Sequence, residues 1–183
     1  MAGFDLWRAN PLLKKVILQK NLAQISADLL EARSLRIGYD QLIPSLPSTT
    51  AAIQDDPYQM WLGQTSSLQE ICSIQGVVSG LILCIKAPQD ALSIAESEIK
   101  TATEAPSLFS TTLGNGVYFT ADSPLDFSDL AARSGYAYLL ITYAKNTSVY
   151  CKKENDPHTN AFRQLGYNFG DRLSDRHHPL IIF

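Results

Sequence analysis

Gly114-Asn115-Gly116-Val117-Tyr118-Phe119 is a glycine turn feeding a β-branched and aromatic strand, and upstream of it stands a second glycine-marked segment, Trp61-Leu62-Gly63-Gln64-Thr65. Glycine turns ahead of aromatic runs are strand signals, because glycine supplies the turn and branched side chains suit a pleated surface. Ser67-Leu68-Gln69-Glu70 follows the first segment as a capping box, in which a serine and a glutamate three residues on satisfy free amides at a helix start. It predicts a helix carrying Leu68 and Ile71 and ending near Gly76. Strand, short helix and later strand in this order predict an α+β domain.

Outward from that centre, Asn10 followed by Pro11 is a helix-start signal. Leu18, Leu22, Ile25 and Leu29 recur at three- and four-residue steps, which predicts an amphipathic helix over 11–35 with Gly38 as its stop. Pro44, Pro47 and Pro57 with Ser48-Thr49-Thr50 between them read as linker chemistry. The predicted organisation is a helical arm over 1–38, a linker over 39–57 and one domain over 58–183. Within that domain, strands are expected over 58–62, 81–85, 117–120, 136–143, 148–151 and 180–183. Pro88 opens a helix with Leu92, Ala95 and Ile99 on one side, Ser123-Pro124 opens a short one to Ala132, and 152–178 reads as an irregular polar loop.

With 183 residues and 45% hydrophobic content the chain can bury one good core. A net charge of −3 with scattered lysines and arginines leaves no electrostatic footprint for a polyanion, which disfavours nucleic acid as the main partner. No apolar run reaches membrane-spanning length, and Met1-Ala2-Gly3-Phe4-Asp5 lacks the basic-then-apolar pattern of a secretion signal, so a soluble intracellular protein, cytoplasmic or nuclear, is expected. Cys72, Cys84 and Cys151 form no metal-ligand spacing and read as small buried hydrophobes. His158, His177 and His178 are poor metal geometry without nearby cysteines.

The two glycine-marked segments, in this order and with a short terminal strand behind them, resemble the poly(ADP-ribose) polymerase branch of the ADP-ribosyltransferases. There a Trp-His-Gly-Ser/Thr strand end, a Leu-x-x-Ile helix and a Gly-x-Gly-Val-Tyr-Phe strand fold around NAD. The resemblance implies two packed, mostly antiparallel sheets forming a cleft. It places Tyr118 on the family's tyrosine, Gly63 on its amide-binding glycine and Ser128 nearest its serine, and Thr65 joins the cofactor-binding set. Leu62 stands where the ribose-gripping histidine belongs, and His178 where the catalytic glutamate belongs. Leucine offers no hydrogen bond and a neutral imidazole no carboxylate charge. Leucine in the histidine position also resembles the plant branch of radical-induced cell death proteins.

The resemblance with these replacements implies a catalytically degenerate module, without cofactor, that binds a protein partner or larger assembly, with the N-terminal helix as the docking arm. The alternative is an active mono-ADP-ribosyltransferase that uses NAD, Tyr118 and an acid displaced to Asp171 or Asp175.

Overall fold

The computed structural model describes residues 3–44, 65–88, 109–127, 129, 133 and 135–183. Among these the chain is α+β and mostly antiparallel. Its centre is a five-stranded sheet in the order β4-β3-β6-β1-β7, built from β1 (Ser34–Pro44), β3 (Ile74–Lys86), β4 (Gly116–Thr120), β6 (Ala137–Tyr150) and β7 (Leu180–Ile182). Every pairing in it is antiparallel. A small second sheet joins β2 (Thr65–Ser66) to β5 (Leu125–Asp126).

Alternation along the long strands gives the sheet two apolar faces, as the two-residue period requires. Leu139, Ile141 and Tyr143 of β6, with Leu35, Ile37 and Leu81, face helices α1 (Pro11–Ile17) and α2 (Lys20–Leu29). Tyr138, Leu140 and Ala144, with Ile82, Phe119 and Phe127, form the opposite core. That second core also takes Phe162, Tyr167 and Leu173 from the segment expected as a polar loop, which contains a 3₁₀ helix over Ala161–Leu165.

Local signals hold where they are self-contained. Asn10 caps α1 by accepting from the Leu12 and Leu13 amides at 2.9 and 3.2 Å, and Glu70 accepts from the Ser67 amide at 2.9 Å to open α3 (Leu68–Ile71). The continuous helix over 11–35 is corrected: it breaks at Leu18-Gln19, and only Leu18 and Leu22 of its expected apolar stripe pack, half-buried, against the core. Ala23, Ser26 and Ala27 face the sheet, while Ile25 and Leu29 are 45% and 69% exposed. Small residues win this face because the helix lies close to the strands. Its carbonyl at Leu22 accepts from the Tyr118 hydroxyl at 2.9 Å, and Ser26 accepts from Ser79 at 3.1 Å.

Gly38 does not stop a helix; it lies inside β1, so the boundaries at 38 and 39 cut a strand. A side chain there would meet Thr142 Oγ1 at 2.4 Å, the hydroxyl that accepts from the Tyr39 amide and donates to its carbonyl. The helix expected to reach Gly76 ends at Ile71, and Gly76 is instead a bulge in β3 with φ +96°. The linker beyond Pro44, the 58–62 strand and the helix after Pro88 lie outside the described residues. No helix among the described residues is long and apolar enough to cross a membrane.

Candidate functional site

Tyr118 and His178, the described residues expected to face one cleft, lie at opposite edges of the sheet. Tyr118 sits on β4 at one edge of the sheet, where its hydroxyl is spent on the Leu22 carbonyl. His178 lies just before β7 at the other edge. Four strand spacings separate these edges, roughly 19 Å at about 4.8 Å each. Thr65 is exposed on β2. Leu62, Gly63 and Ser128 lie outside the described residues. The alternative acids are structural too: Asp171 accepts from the Asn168 amide, and Asp175 pairs with Arg36 at 2.5 Å.

His178 is fully buried. Its Nδ1 lies 2.8 Å from the Gly38 carbonyl, an acceptor only, so this nitrogen carries the proton and donates. The ring packs between Phe162 and Tyr167, and burial lowers its pKa to about 3, so it is neutral at pH 7. His158 stacks on Phe4 with ring centroids 4.2 Å apart, and burial lowers its pKa to about 4. Beside it the buried Asp156 carboxylate accepts from the Ser73 amide at 2.8 Å and the His158 amide at 2.7 Å, tying the start of β3 to the chain after β6. His177 rests edge-on against Tyr167. All three histidines therefore line an aromatic wall running through Phe4, Phe162 and Tyr167.

A different feature opens at the end of the sheet. Between Ala144 and Val149, β6 runs through five residue steps while β3 takes only two, from Val77 to Gln75, so residues 145–148 arch out of the ladder. Ser148 donates to the Gly76 carbonyl beneath the arch. Arg36, only 7% exposed, holds its crown: Nε donates to the Asn146 carbonyl at 3.1 Å and Nη2 to its side-chain oxygen at 2.7 Å. Under the arch lies a cleft of about 880 Å³, within the size range of small-molecule sites. Leu35, Ile74, Val77 and Val78 form its apolar part, and Lys145, Lys152 and Lys153 also line it. Cys151 lines it as well, with burial raising its thiol pKa and so disfavouring the reactive thiolate. The sequence signal for this site is the Lys145-Asn146-Thr147 interruption between two apolar strand runs.

No family model and no curated protein matches the chain. Solved structures do. The non-heme alpha-ketoglutarate-dependent carbocyclase SnoK of nogalamycin biosynthesis matches 97% of this chain and 74% of its own, with a TM-score of 0.62 at 13% identity. The alpha-ketoglutarate-dependent epimerase SnoN of the same biosynthesis matches 97% and 76%, with a TM-score of 0.61 at 12% identity. At such identity the likeness is one of fold, jelly-roll-like rather than that of an ADP-ribosyltransferase. It overturns the polymerase resemblance, and with it both the degenerate-transferase reading and the NAD-using alternative. The Gly114–Phe119 string is the entry to an edge strand, and a glycine turn before an aromatic strand suits antiparallel sheets of many orders.

Non-heme iron in such enzymes is commonly held by two histidines and one carboxylate, and the histidines of this chain do not fit that arrangement. It has three, all described. One donates Nδ1–H to a carbonyl, one is stacked on Phe4 and one lies on Tyr167. Among the described residues no three His, Cys, Asp or Glu side chains gather to hold a metal ion. The apolar face away from the helices is filled instead, for example by Phe109 with Tyr138 and Phe127 at centroid distances of 5.3 and 6.3 Å.

Proposed function

We propose that this chain is a small-molecule-binding protein on the fold shared with SnoK and SnoN, working without a histidine-held metal. The observation that carries this reading is the use of His158 and His178 as neutral packing groups in an aromatic core. A buried imidazole that already donates to a backbone carbonyl is fixed in tautomer and place. In a metal site the same bond would leave its other nitrogen facing further ligands, but here the Phe162 and Tyr167 rings surround it. Small-molecule binding is supported by the arch cleft, whose size and mixed lining suit a ligand with an apolar body and polar ends.

The second reading, an alpha-ketoglutarate-dependent enzyme, is favoured by the fold match alone and needs donors beyond those described. Incubation with Fe(II), ascorbate and alpha-ketoglutarate separates the two. The proposal expects no succinate above a protein-free control and no stoichiometric iron on the desalted chain. Enzyme-dependent succinate together with one bound iron overturns it.

A further inference from the structure

The arch cleft is polar in a one-sided way. Among the described residues Lys145, Lys152 and Lys153 line it against a single lining carboxylate, Asp122, with Glu70 within electrostatic reach of Lys153, in a chain whose overall charge is −3. Asp122 already accepts from the Thr120 hydroxyl. The ion pairs of the described residues are Arg8–Asp5, Arg36–Asp175 and Arg133–Asp129, so none of the three ammonium groups is held by a carboxylate at salt-bridge distance. Three like charges on one cleft repel, and the fold has fixed their backbones rather than letting them spread. Lys145 starts the arch pinned by the buried Arg36 through Asn146. Cys151 donates its amide to the Ser73 carbonyl at 3.0 Å, and Lys153 donates its own to the Thr159 hydroxyl at 2.9 Å.

We infer that the cleft binds a small organic anion whose phosphate or carboxylate groups meet these lysines and whose apolar body lies on Ile74, Val77 and Val78. This deepens the small-molecule reading above and rests on it. Lysine suits the role: it neutralises an anion as a compact point charge without the bidentate geometry arginine imposes. Arg36 is a positioning residue here, since its Nε and Nη2 donors are spent on the arch and its Nη1 on Asp175 and the His178 carbonyl.

The test uses the full chain and a fluorescent anilinonaphthalene sulfonate, an apolar body with one anionic group, displaced by inorganic pyrophosphate in one arm and citrate in another. Saturable binding is expected, displaced by at least one of the two, and the more effective competitor tells phosphate from carboxylate chemistry. Replacing Lys152 and Lys153 together by alanine should weaken it at least about tenfold, and raising salt from 50 to 500 mM should weaken the wild type more than the variant. Lys86→Ala, at the far end of β3, should leave it unchanged, and circular dichroism should show the lysine variants folded. Binding indifferent to the cleft lysines, equal sensitivity to Lys86→Ala, or no displacement by either anion at 10 mM overturns the inference. A neutral ligand seated in the cleft would also overturn it while leaving the metal-free reading standing, whereas bound iron with succinate formation would strike only the metal-free part of the earlier reading.

Discussion

The aromatic wall around His158 and His178 and the lysine cleft under the arch lie at different parts of one sheet and treat titratable groups in opposite ways. In the wall, burial strips imidazoles of their charge and fixes them against Phe4, Phe162 and Tyr167. In the cleft, ammonium groups keep their solvent contact and only their backbones are fixed. The difference teaches that a histidine near a strand end is no sign of chemistry. What matters is whether the fold leaves the group a free, reachable electron pair or charge, and here only the cleft does so.

Breaking the wall should cost the most. Asp156→Ala leaves the Ser73 and His158 amides without their acceptor in a buried site, so a loss of about 3 kcal/mol is expected in urea unfolding, with anion binding reduced only through unfolding. Gly76→Ala places a side chain at φ +96° and 2.5 Å from the Ser148 hydroxyl. A loss of about 2 kcal/mol should follow, with a distorted arch and weaker sulfonate binding even in the folded fraction.

The pH dependence sharpens the contrast. The folded-state pKa values of His158 and His178 are lowered to about 4 and 3, against an unfolded value near 6.5. The unfolded chain therefore binds more protons between these limits, and the stability due to the neutral rings is complete above about pH 6.5 and falls away as pH drops. Asp40, raised by burial to about 6, acts in the opposite sense: its folded state binds the extra proton between about pH 4 and 6. Asp5 and Asp156, also raised by burial, act in the same sense as Asp40, so the wild-type profile sums opposing contributions and the variant isolates the His178 part. His178→Gln should lose less stability between pH 7 and pH 5 than the wild type, measured as unfolding midpoints at each pH. The smallest effect belongs to the outer helix face, where Leu29→Ser should change stability by no more than about 0.5 kcal/mol, since Leu29 is 69% exposed.

What was legible in the sequence was local. The Asn10 cap, the Ser67–Glu70 box, the β4 strand and the terminal strand each depend on a few adjacent residues. Strand order was not legible, because nothing near Tyr118 or His178 says that four strand spacings lie between them. The stripe of Leu18, Leu22, Ile25 and Leu29 is right only at Leu18 and Leu22, because periodicity counts hydrophobicity, whereas a helix lying close to a sheet selects for small size at Ala23, Ser26 and Ala27. The polarity of 152–178 predicts a loop, and the segment is irregular, yet its apolar side chains Ala161, Phe162, Tyr167 and Leu173 are buried, as are Asp156, His158 and His178. The arch left a trace, a polar break between two strand runs, but its partner Arg36 is distant in sequence and could not be paired with it from pattern alone.

The central claim, that the histidines are packing groups and not ligands, is tested most directly by ¹⁵N spectra of the three imidazoles, recorded at pH 5 to 7 with and without one equivalent of Zn(II) as a diamagnetic probe. His158 and His178 are predicted to stay neutral throughout, His178 with its proton on Nδ1, and neither should shift on adding metal. Stoichiometric movement of both rings with one equivalent of Zn(II) would contradict the account.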